Sequence, residues 1–132
     1  EGTVIYLAGG LGQTFFNFGV PEMKAAAEAL VKAIAPGELR VENAFPSVEV
    51  ELRGKPGKPV RLIHFVNHTG YMRRPVDRFI PNPGIRVALK TEAPAKRVFL
   101  LFHPKEIPFE YKDGEVRFTV DLEDYELVAV EL

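Results

Sequence analysis

The chain has 132 residues, a formal net charge of −1, 46% hydrophobic residues and neither cysteine nor tryptophan. That is the length of one domain, enough to bury roughly two-thirds of the surface its unfolded form exposes. Without cysteine there are no disulfides, thiolate zinc sites or thiol nucleophiles, and the near-neutral balance gives no reason to expect a nucleic-acid partner.

In chain order, "TVIYLAG" at residues 3 to 9 is a short apolar run of β-branched and aromatic residues that stops at glycine, and it predicts a buried strand. "GLGQTFFNFGV" then reads as an irregular connection carrying Phe15, Phe16 and Phe18. Pro21 suits the first turn of a helix, where its missing N–H has no intrahelical partner to lose. In "PEMKAAAEALVKAIA", Met23, Ala27, Leu30 and Ile34 share a stripe, while Lys24, Glu28 and Lys32 lie opposite. Pro36 and Gly37 end this amphipathic helix, and they mark the one internal boundary, dividing 1–36 from 37–132.

After Gly37 the period becomes two. "SVEVELR" puts Val48, Val50 and Leu52 on one face and Glu49, Glu51 and Arg53 on the other. "IRVALK" and "EVRFTVDL" repeat the alternation, whereas "VRLIHFV", "RVFLLF" and "YELVAVEL" are apolar on both phases and fit strands shielded on two sides. Asp113-Gly114 is the pair that a tight type I′ hairpin accepts. Counting "LRVEN" and "PFEY", the pattern predicts a mainly β fold: an antiparallel sandwich of about eight strands, preceded by one strand and one helix.

No stretch approaches the ~18 apolar residues of a membrane span, and the N-terminus lacks a signal-peptide pattern, which favours a cytoplasmic setting without a membrane partner. Glu1 stands almost at the start of a strand without an initiator methionine, as expected of a fragment or a processed product. Charge is unevenly spread. Residues 53 to 75 hold six basic side chains and no acid, and residues 105 to 132 hold nine acids against three bases. Solvated strand faces of opposite sign account for this, with a basic ligand surface as the sharper alternative.

Several constellations invite a chemical reading. Gly9, Gly10 and Gly12 follow the first strand, but a dinucleotide fingerprint needs its helix to begin at the last glycine, and here it waits for Pro21. His64, His68 and His103 are enough ligands for a zinc ion, yet His64 and His68 lie about 13 Å apart along an extended segment. No metal or cofactor is therefore expected. Asn67-His68-Thr69 matches a glycosylation sequon, but side chains that hydrogen-bond the backbone where a strand ends give the same pattern. The loop from 67 to 84 offers Tyr71, Arg73, Arg74 and Asp77, with His68, as conceivable ligand contacts. The alternative is a loop laid over the end of the sandwich and anchored by Met72, Phe79 and Ile80. Glu49, Glu51, Glu115, Asp121 and Glu126 all read as solvated carboxylates on polar strand phases or beside turns, and Ser47 is the only serine, so catalysis within this chain is not expected.

Taken in order, "TVIYLAGGLGQTFFNFGVPEMKAAAEALVKAIA", "LRVENAFPSVEVELRGKPGKPVRLIHFVNHTG" and "RVFLLFHPKEIPFEYKDGEVRFTVDLEDYELVAVEL" resemble the C-terminal end of multidomain glycoside hydrolases of the β-galactosidase type. The resemblance implies a catalytic (β/α)₈ barrel, a glutamine-amidotransferase-like trimerisation domain and a small β-sandwich, with residues 1 to about 36 standing for the end of the α/β domain. The family's catalytic carboxylates belong to the barrel, so none falls here. On this reading the chain is a non-catalytic accessory module of a glycoside hydrolase. Its partner is the rest of a parent enzyme or a second copy, and the Phe15, Phe16 and Phe18 cluster with the Met23, Leu30 and Ile34 stripe is expected to pack on the sandwich or on that other chain. Two alternatives stand beside it: a carbohydrate-binding sandwich, and a small free-standing enzyme with an unrecognised site.

Overall fold

Alternating strands have one apolar and one polar face, and two such sheets bury their apolar faces most readily against each other. The computed structural model describes residues 4–6, 10–35, 37–54, 57–70 and 78–132. It forms two compact units, residues 1–37 and 38–132. Among the described residues of the second, nine strands run as β1 (Leu39–Glu42), β2 (Val48–Gly54), β3 (Val60–Asn67), β4 (Asn82–Lys90), β5 (Arg97–Leu100), β6 (Lys105–Ile107), β7 (Phe109–Lys112), β8 (Glu115–Leu122) and β9 (Tyr125–Glu131). They make a four-stranded sheet in the order β1-β4-β8-β7 and a five-stranded sheet in the order β2-β3-β9-β5-β6, with every pairing antiparallel.

The strands that alternate bury the faces their patterns assign. Ile85, Val87 and Leu89 of β4 and Val116, Val120 and Leu122 of β8 meet Ile63 and Phe65 of β3 and Val128 and Val130 of β9 in one buried cluster. The runs that are apolar on both phases occupy inner positions of the five-stranded sheet, where β9 is central. Lys112 pairs with Glu115 across Asp113 (φ 54°) and Gly114 (φ 76°), the two-residue hairpin that the Asp-Gly pair predicts. The short β6 is the strand that the alternation did not reveal.

The N-terminal unit differs from its sequence reading. Residues Leu11–Phe18, expected to be irregular, form a helix, α1. Leu11, Thr14, Phe15 and Phe18 are spaced three and four apart, a helical spacing that the flanking glycines and Gly12 obscure. Gly19, at φ 61°, ends the helix by donating its N–H to the Phe15 carbonyl at 2.8 Å. The predicted amphipathic helix follows as α2 (Pro21–Ile34). α1 packs against α2, and Met23, Ala27 and Leu30 are half-buried. Phe16 and Phe18 remain 88% and 76% exposed, and Phe15 and Ile34 are exposed too. Of the predicted strand at 3 to 9 only residues 4–6 are described, and these carry no strand. No helix among the described residues is long and apolar enough to cross a membrane.

Candidate functional site

The stretch richest in polar groups, residues 64 to 69, is a strand end held to its neighbours. Asn67 lies on the inward phase of β3 with Ile63 and Phe65 and is only 2% exposed. Its Nδ2 donates to the Ile80 carbonyl at 2.8 Å and to the Glu123 carbonyl, while its Oδ1 accepts the Thr69 N–H at 2.9 Å. The Thr69 hydroxyl accepts the Ile80 N–H at 3.0 Å. A buried amide with both N–H groups engaged is structural, and it leaves no room for a glycan. The long loop is thus fastened through the Ile80 backbone rather than by its side chain, which is exposed, as is that of Phe79. A depression of about 360 Å³ lies beside this knot, between Val66, Thr69, Phe79 and Tyr125. Tyr71, Arg73, Arg74, Asp77 and Met72 fall outside the described residues.

The three histidines go to three different partners. His64 Nδ1 lies 3.1 Å from the Tyr125 hydroxyl, His68 Nε2 3.1 Å from Glu49, and His103 Nδ1 3.0 Å from Glu126. Among the described residues no three histidines or carboxylates gather as a metal would need.

Glu126 corrects the sequence reading. Rather than a solvated carboxylate, it is a 2% exposed side chain on the inward phase of β9, in line with Val128 and Val130. Its Oε1 accepts the N–H groups of Phe102 and Leu127, each at 2.9 Å, and its Oε2 accepts those of His103 from the backbone at 3.3 Å and from Nδ1 at 3.0 Å. The turn 101–104 between β5 and β6 leaves N–H groups without strand partners, and this carboxylate supplies the acceptors. "YELVAVEL" is apolar on both phases, so its pattern did not tell which phase Glu126 occupies. His103 is 58% exposed, and its ring meets Phe102 edge-on at 5.0 Å. Among the described residues no hydroxyl shares a hydrogen bond with it.

A second concavity lies on the outer face of the four-stranded sheet, where a groove of about 770 Å³ crosses all four strands. Register places Arg40, Ala88, Arg117 and Glu110 in one row across β1, β4, β8 and β7, and Glu42, Arg86 and Thr119 in the next. Ala88 is the short side chain between long ones, and so forms the floor. Glu115 Oε2 accepts from Arg40 at 3.2 Å and from Arg117 at 2.9 Å, and Glu42 lies 3.1 Å from Arg86 and 3.8 Å from Arg40. The side-chain hydrogen bond from Arg117 to Glu115 holds that guanidinium's pKa above its usual value. The residues are all on polar strand phases, where single-sequence reading assigns only solvation. Their convergence appears once the strand order is known.

No family model matches the chain, and no curated protein does. Among solved structures, the fold is similar to part of α-L-fucosidase isoenzyme 2 from Paenibacillus thiaminolyticus, with a TM-score of 0.76 and 21% identity over 92% of this chain and 19% of that one. The chain thus spans about a fifth of that protein. The likeness is one of fold, a β-sandwich architecture that also occurs as a segment within a larger glycoside hydrolase.

Proposed function

We propose that this chain is a non-catalytic accessory module of a glycoside hydrolase, acting by supporting the assembly or the catalytic domain of a larger enzyme. The observation that carries the reading is the fold match to about a fifth of an α-L-fucosidase chain over nearly the whole of this one. The sequence resemblance to the end of β-galactosidase-type enzymes supports it independently, since both lead to the same enzyme class. Whether the parent is of the β-galactosidase type, with a trimerisation domain ahead of the sandwich, belongs to this proposal. The exposed Phe16 and Phe18 agree with the N-terminal unit meeting another body, because apolar area left wet forfeits about 25 cal/mol per Å². The test is to read the coding region immediately upstream of Glu1. A glycoside hydrolase barrel in the same frame is the expected result, and an unrelated domain there would overturn the reading.

A further inference from the structure

We propose that the groove over Ala88 binds an uncharged glycan chain. Its volume, about 770 Å³, lies within the range of small-molecule sites, and it crosses four strands, a width of roughly 14 Å at the spacing of a sheet. That is longer than a single sugar ring.

The chemistry comes from the row that contains the floor. Ala88 lies between Arg40 and Arg117 in one row, the two guanidiniums converge on Glu115 Oε2, and Arg86 stands at the next outward position of β4. Each guanidinium has five N–H donors. Among the described residues few of them are engaged: Arg40 donates to Glu115, Arg117 donates to Glu115 and Asp113, and Arg86 pairs with Glu42. The carboxylates of Glu42 and Glu110 and the hydroxyl of Thr119 add acceptors to the same wall. Sugar hydroxyls both donate and accept, and a vicinal pair can bridge a guanidinium or a carboxylate. A surface that alternates these two groups suits a polyol better than a ligand with one kind of group.

Charge narrows the class. The lining sets Arg40, Arg86 and Arg117 against Glu42 and Glu110, and Glu115 beside it pairs with both Arg40 and Arg117, so the groove lacks the unopposed positive cluster a polyanion would need. The shared carboxylates also hold the arginines in place before binding, which lowers the ordering cost of a weak ligand. Pro108 and Phe109 close one end with apolar surface, which a sugar's C–H face can cover. The choice of a glycan among polyols rests on the accessory-module reading.

The test is a titration of the whole ¹⁵N-labelled chain with neutral oligosaccharides, following backbone amides and arginine Nε–H signals, with galacturonate and inorganic phosphate as controls. With at least one neutral oligosaccharide, Ala88, Thr119, Arg86 and Arg117 are expected to shift together and saturate with a Kd on the order of 1 mM. Ala88→Met fills the floor from the outward face, and Arg86→Ala removes an exposed donor. Each is expected to weaken binding about tenfold while the spectrum stays folded. Groove signals that no neutral sugar moves, shifts produced only by phosphate or uronate, or undiminished binding in both variants would overturn the proposal. Saturable sugar binding with no glycosidase encoded upstream would keep the groove and remove the accessory reading; the opposite pair of results would do the reverse.

Discussion

A carboxylate on the inward face of a strand has to be met by donors, and Glu126 is met by three backbone N–H groups and one imidazole. Truncating it removes the acceptor of those donors and empties a 2% exposed site on the inward face of β9. Glu126→Leu should therefore cost about 3 kcal/mol, and Glu126→Gln less, because one acceptor oxygen survives. Urea unfolding midpoints read both values. His68→Ala, which removes an exposed imidazole from Glu49, should stay within about 0.5 kcal/mol of the parent. A Glu126→Leu variant as stable as the parent would show that the turn 101–104 does not depend on this carboxylate. The contrast also shows what single residues reveal in sequence. His64 and His68 stand out because histidine suggests chemistry, while the consequential polar side chains, Asn67 and Glu126, draw their importance from the phase they occupy.

At the level of elements, most of the sandwich is legible because alternation is a direct record of which face is buried. Val48–Leu52, Ile85–Leu89 and Val116–Leu122 fall on the faces their patterns assign. Strand partners are not legible in this way, and the groove depends on them: the arginines of β1, β4 and β8 are neighbours only because β4 lies between β1 and β8. α1 was hidden for a different reason, since its three aromatic residues and bordering glycines have weak helix propensity and the spacing alone carries the signal. Cross-strand pairs also set an acid limit. Arg97 lies opposite Glu131 in the β5–β9 pairing and meets it with two hydrogen bonds of 2.8 Å. The hydrogen bond from Arg97 lowers the Glu131 pKa from the ordinary 4.5 and raises that of Arg97. A depressed carboxylate pKa stabilises the fold above the unfolded value, and that stabilisation is lost as pH falls below about 4.5 through the lower folded value. The stability gap between the parent and Glu131→Gln should thus be present at about pH 7 and shrink by about pH 3, as denaturant midpoints at the two pH values would show. A gap that does not change with pH would remove the ion pair from the account.

For the molecule as a whole, one sheet pair with a continuous apolar interior accounts for residues 38–132, and a two-helix unit with exposed phenylalanines precedes it. Among the described residues the ionisable groups are dispersed over the sandwich. Glu126 is occupied by the turn, the three histidines go to different partners, and Glu42 and Glu115 are engaged with the arginines of the groove. The most direct measurement is the turnover of a panel of aryl-glycosides by the purified chain at neutral pH. The account expects no release above the buffer rate for any of them, with intact fold verified in the same sample. Sustained turnover that disappears when Glu126 is changed to Gln would contradict it.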